Sequence, residues 1–150
     1  MLKRDSKGFT LIELLIVVAI IGIIAAIAIP NLLNAIDRGK QKRTMADIRS
    51  VGTAVESYAV DNNVYPAVTT AATLQTVIQA GAYMKNMPLV DGWSHTFVVD
   101  SSTVAYTLSS TGKDGAPTAC PIVATTTQSF NDEICFINGQ FMQYPAGSQQ

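Results

Sequence analysis

KGFTLIELLIVVAIIGIIAAIAIP, residues 7–30, decides the architecture of this chain. From Leu11 to Ile29 the stretch carries a single charge, Glu13. At ~1.5 Å per helical residue the run reaches about 30 Å, the thickness of a bilayer core. Ahead of it MLKRDSKG, residues 1–8, sets Lys3, Arg4 and Lys7 against Asp5 and closes on a glycine. That is the basic-then-apolar order of an export signal. An ordinary cleaved signal has an apolar stretch of only ~7–15 residues, followed by a small-x-small site. Here the run is longer and passes straight into Pro30-Asn31, so it reads as a retained membrane helix. Charged residues make up 14% of the chain, well below the usual ~25%, and this run accounts for much of the depletion. From Pro30 onward the composition is that of a polar globular domain large enough for one modest core.

Glu13 is the anomaly within the run. A carboxylate near one end of a membrane helix costs on the order of 1–3 kcal/mol, depending on depth. A positive partner would offset that cost, and the apolar run contains none. Cleavage after Gly8 would create one, the α-amine of Phe9, about one helical turn from Glu13 or offered by an adjoining subunit. The plainer alternative is a charge solvated at headgroup level. Farther along, Pro30 removes an intrahelical hydrogen bond and kinks the helix, and Gly22 lowers helix propensity. Gly22, Ala25, Ala26 and Ala28 present small residues suited to close helix packing.

Residues 7–30 resemble the prepilin signature shared by type IV pilins and type II secretion pseudopilins. The resemblance implies peptidase cleavage between Gly8 and Phe9 and methylation of the new Phe9 terminus. It implies that Glu13 neutralises the Phe9 amine of a neighbouring subunit, and that the helix melts locally between Gly22 and Pro30 in a filament. It continues downstream. ADIRSVGTAVESYAVDNNVYP (46–66), GAYMKNMP (81–88) with Asp91-Gly92-Trp93, and Tyr106–Ser109 followed by Gly112-Lys113-Asp114-Gly115 are similar to segments of the major pseudopilin. The implied fold is α+β and pilin-like: a long kinked N-terminal helix whose second half packs on a small antiparallel β-sheet. The implied parts are a leader (1–8), a transmembrane and assembly half-helix (9–30) and a globular domain outside the cytoplasm (31–150).

The residues of the globular part are compatible with that fold. Met45, Ile48, Val51, Val55 and Tyr58 recur at three- and four-residue steps, with Arg49, Thr53, Glu56 and Ser57 opposite, which predicts an amphipathic helix over 31–62. Asn62-Asn63 ends it, with Pro66 beyond. Ala72–Ala80 predicts a short helix with Leu74, Val77 and Ile78 inward. Strands are predicted at Thr96–Val99, Val104–Leu108 and Ile134–Met142, the last interrupted by Gly139, in an antiparallel meander. Residues 109–133 read as loop. Arg38, Lys40, Lys42 and Arg43 follow the apolar run. They read as basic side chains snorkelling to headgroups, or as partners for acids such as Asp37 or Asp47 across subunits.

Catalytic chemistry has little support. His95 is the single histidine, and Ser94 beside it would point to the opposite face of a strand. No phosphate loop, zinc spacing or nucleophile elbow is present. A net charge of −1 and the lack of a basic aromatic patch argue against nucleic-acid binding. Cys120 and Cys135 read as a disulfide if the chain is exported, and as two buried thiols if not. Calcium is the one ligand the resemblance implies, held by Asp114 and by an acidic stretch that Asn131-Asp132-Glu133-Ile134 resembles, with Asp132 as second ligand. The intervening loop is longer than the pattern and contains Cys120, so the alternatives are a solvated acidic loop or a disulfide as staple.

The function expected is that of a non-enzymatic subunit of a homo-oligomeric helical filament, first of all the major pseudopilin of a type II secretion system. A major pilin of a type IV pilus, serving adhesion, motility or DNA uptake, is the alternative. A membrane-anchored binding domain that never polymerises is a second. Expected partners are prepilin peptidase, an inner-membrane assembly platform, minor pilins or pseudopilins, and membrane lipid before assembly. The expected location is the bacterial inner membrane as a single-pass protein, then a periplasmic pseudopilus or surface pilus.

Overall fold

The computed structural model describes residues 8–146. The rest of the leader, residues 1–7, lies outside the described residues. The chain divides into two compact units, residues 1–36 and 37–150. Helix α1 (Leu11–Asn62) runs through both.

In the first unit α1 is apolar apart from Glu13, Asn31 and Asn34, and its large apolar side chains from Leu11 to Ile36 are exposed. No residue of its most apolar stretch is buried within the molecule. The helix is unbroken through Gly22 and Pro30. In the turn that Pro30 disturbs, the Asn31 side-chain amide donates to the Ile27 carbonyl at 3.1 Å. This is the single chain; the melting implied by the resemblance concerns a filament.

In the second unit α1 becomes amphipathic. Ile48, Val51, Ala54 and Val55 are buried at three- and four-residue steps. The helix stops where the sequence predicts: Asn63 takes a left-handed φ of 59°, a conformation asparagine tolerates at a helix end. Helix α2 (Ala71–Ala80) begins behind Thr70, whose side chain accepts from the Thr73 amide. It buries Leu74 and Ile78 and leaves Val77 half-buried.

Five strands follow: β1 (Val98–Ser101), β2 (Tyr106–Ser110), β3 (Thr125–Thr127), β4 (Ile134–Ile137) and β5 (Gln140–Pro145). Their order in the sheet is β1-β2-β4-β5-β3. Three features differ from the sequence expectation. The first two strands sit two residues later than predicted. The predicted strand 134–142 is a hairpin, folded at Asn138 and Gly139 with φ of 46° and 84°. Positive φ at both central residues is what a tight hairpin turn requires. Finally β3 lies inside the predicted loop and pairs in parallel with β5, so the sheet is mixed rather than purely antiparallel.

The core forms between α1, α2 and the sheet, around Ile48, Leu74, Ile78, Leu108 and Ile134, all nearly inaccessible. Gly52 permits the close approach of helix and sheet, because the Phe136 ring occupies the space a Cβ there would need. From Phe136 the rings continue to Phe141 (4.8 Å between centroids) and to Tyr106 (6.3 Å), which meets Tyr65 at 5.0 Å. Burial, and then the nearby Glu56 carboxylate, push the Tyr106 hydroxyl above its usual range.

Candidate functional site

Three groups of residues carry the chemistry of this chain: the N-terminal end of α1, a polar network on its second half, and the loop closed by the two cysteines.

Gly8, Phe9 and Thr10 precede α1, and all three are exposed together with Glu13. Thr10 is the residue before the first helical position, and its carbonyl accepts from the Leu14 amide at 3.3 Å. Its hydroxyl accepts from the Glu13 amide at 3.3 Å. The Glu13 carboxylate reaches back to the Thr10 amide (2.9 Å) and hydroxyl (2.6 Å). This is a capping box, Thr-x-x-Glu, with two orphan amides satisfied reciprocally. Thr-x-x-Glu ahead of an apolar run is itself the sequence signature of such a helix start. Glu13 therefore has a local partner in the single chain. Gly8 and Phe9 lie next to it in sequence, at the peptide bond where cleavage is expected.

The polar network is built from residues distant in sequence. Asp37 is 6% exposed and engaged at both oxygens: Trp93 Nε1 donates to one at 3.1 Å, and Lys113 Nζ lies 2.8 Å from the other. Burial opposes the charge on Asp37. The hydrogen bonds from Lys113 and Trp93, with the positive charges of Lys113 and Lys40, outweigh it and hold the carboxyl below its usual range. The neighbouring turn 91–95 is organised by Asp91, which accepts from the Trp93 and His95 amides, both at 2.9 Å, and from the Ser110 hydroxyl at 2.6 Å. Gly92 packs on the backbone of Lys40 and donates to Thr44 Oγ1 at 2.8 Å. A side chain at 92 would collide with that backbone. His95 Nδ1 lies 2.9 Å from the Gly112 carbonyl, and Ser94 is not among its partners. Of the acids suggested as acceptors for neighbouring subunits, Asp37 is engaged within the chain as described, whereas Asp47 has only a loose ion pair with Arg43 at 3.6 Å and its Oδ2 has no hydrogen-bond partner among the described residues.

Cys120 and Cys135 are joined in a disulfide, which anchors the 116–124 loop to β4. The same loop is held by Glu133, a buried carboxylate that accepts from the Thr118 amide at 2.7 Å. The calcium candidates are turned toward backbone. Asp114 accepts from the Ala116 amide at 3.1 Å. Asp132 accepts from the Gln128 and Ser129 amides at 3.1 and 3.0 Å. Calcium takes about six to eight oxygens. Among the described residues no group of three or more His, Cys, Asp or Glu side chains comes together. As arranged here, these residues do not fit a calcium cage.

Comparison with known proteins gives two family matches that abut. Residues 3–29 match the prokaryotic N-terminal methylation motif. Residues 31–123 match type II secretion system (T2SS), protein G. The chain is 32% identical over 128 residues to the type II secretion system core protein G of Vibrio cholerae serotype O1, covering 75% of this chain and 86% of that protein. It is 31% identical over 124 residues to the protein of the same name from Escherichia coli strain K12, covering 73% and 83%. A 60-residue stretch is 53% identical to the type IV major fimbrial protein FimA of Dichelobacter nodosus, covering 40% and 38%. No solved structure gives a match of comparable significance.

Proposed function

Because the chain belongs to the type II secretion system protein G family, we propose that it is the major pseudopilin of a type II secretion system, a structural subunit that polymerises into a filament. The observation that carries this reading is the order of parts in one chain. A methylation motif and an exposed apolar helix are followed directly by a protein G domain. An apolar half-helix of this length is soluble only in lipid or against copies of itself. Prepilin peptidase processes the leader at the Gly8–Phe9 bond, and Phe9 is methylated. The subunit waits in the inner membrane with its C-terminal domain outside the cytoplasm. On assembly the apolar half-helices leave lipid and pack into the filament core, driven by an inner-membrane platform and primed by minor pseudopilins.

Glu13 then changes partners. In the single chain it caps its own helix through Thr10. In the filament it takes the Phe9 amine of the adjoining subunit, and that pair sets the docking register. An ion pair in a water-poor core is stronger than the same pair at a surface. Gly22 and Pro30 are the points at which the helix yields as subunits are drawn out. The Cys120–Cys135 bond, rather than bound calcium, staples the loop before β4.

The type IV pilus reading rests on the Dichelobacter match, which spans less than half of either protein. The protein G matches extend well beyond it. Intact-mass measurement of protein purified from its native membrane tests the proposal. The expected species begins at Phe9 and carries one added methyl group. A species that retains Met1 and stays monomeric in detergent would overturn it in favour of a non-polymerising anchored domain.

A further inference from the structure

The apolar run gives way to charge abruptly. Leu33 and Ile36 are still exposed apolar residues, and the chain continues Asp37-Arg38-Gly39-Lys40-Gln41-Lys42-Arg43. With the preceding helix in lipid, as the proposed function has it, these residues are the first to reach the headgroup layer. Most of them suit an anionic surface. Asp37, the first charge met after the run, does not: a carboxylate there would repel phosphate.

Asp37 is, however, masked. Lys113, 76 positions away, places its ammonium 2.8 Å from Asp37 Oδ2, and the Trp93 indole occupies the other oxygen. Lys113 keeps half of its side chain exposed while Asp37 keeps 8%. The pair therefore turns its cation to solvent and its anion inward. Asp47, the next acid along the helix, is only loosely paired with Arg43 at 3.6 Å and keeps about a quarter of its side chain exposed (27%). The outward charge of the segment is thus positive, from Lys40, Lys42, Arg43 and the borrowed Lys113.

We propose that residues 37–43 together with Lys113 form a collar that selects anionic phospholipid headgroups, and that the Lys113–Asp37 pair is the element that makes it selective. The ligand chemistry is a phosphodiester carrying net negative charge. A zwitterionic headgroup has the same phosphate but brings its own cation and would compete poorly. The collar would hold the unassembled subunit in anionic regions of the bilayer.

Native mass spectrometry of the full-length chain, offered mixed micelles of phosphatidylglycerol and phosphatidylcholine, tests this. Wild type should retain phosphatidylglycerol in preference to phosphatidylcholine by about fivefold or more, the effect of a single basic residue at a charged membrane surface. Lys113→Gln should reduce that preference about fivefold, and Asp37→Asn should maintain or raise it. The opposite signs matter, because a purely structural pair would give the same loss from either change. Circular dichroism of each variant confirms that it is folded. Equal retention of the two lipids by wild type, or an unchanged preference in folded Lys113→Gln, would overturn the proposal. So would loss of preference in both variants. Flotation with vesicles separates this outcome from failure of the underlying reading, since a chain that is not a membrane protein would not float at all.

Discussion

Glu13 is held by two interactions with different requirements. The capping box needs only an acceptor at that position, and glutamine serves there as well as glutamate. Pairing with an amine needs the charge. Glu13→Gln should therefore leave helix content, membrane insertion and leader cleavage intact while sharply lowering filament yield, read as the fraction sedimenting after membranes are dissolved. Normal yield from that variant would remove Glu13 from the assembly mechanism. Asp37 gives a second test. Its carboxyl is held below the ordinary range in the folded chain. The stability it contributes is therefore complete above the unfolded value and is lost as pH falls through the folded one. Thermal melts of the detergent-solubilised chain between about pH 5 and pH 2 should show a decline in wild type that is shallower in Asp37→Asn. At this scale the sequence was partly legible. Glu13 stands out because it is alone in an apolar run. Asp37 does not, because nothing in an acid beside four basic residues indicates a lysine 76 positions downstream.

The elements divide in the same way. The buried face of α1 was readable because its partners recur every three or four residues, and α2 because Leu74 and Ile78 do the same. The sheet was less so. Strand alternation is a local signal, and where each strand starts is fixed by pairing, as between Val98 and Ser109. The β3 triplet Thr125-Thr126-Thr127 has no apolar pattern of its own and becomes a strand by pairing with Gln143–Pro145. Two predictions belong here. Gly52→Ala should lower stability by about 1–3 kcal/mol, since the new methyl meets an aromatic ring with little room to retreat. Adding Phe136→Leu should restore part of the loss in chemical denaturation. Reduction of the Cys120–Cys135 bond should cost about 3 kcal/mol for a loop of its length. Adding EDTA to the oxidised protein should leave its melting temperature unchanged. A marked fall with EDTA would restore calcium as the staple.

On the scale of the molecule, the two compact units correspond to two solvents. The first exposes its apolar side chains from Phe9 to Ile36, a surface suited to lipid or to other copies of itself. The second, from Asp37 onward, buries its own core and is complete as an aqueous domain. This division was legible from composition alone, because apolar content changes so abruptly near Pro30. Which filament the subunit builds was not legible from composition; it came from the extent of similarity to protein G relatives. The sheet order adds a constraint on biogenesis. β5, the final strand, is inserted between β4 and β3, and β3 pairs with it alone. The sheet therefore cannot close until β5 has been synthesised and is free to pair. Until then β4 presents an open edge and β3 lacks the strand it pairs with, so the growing chain passes through an incomplete sheet whose bare backbone is open to proteolysis and mispairing.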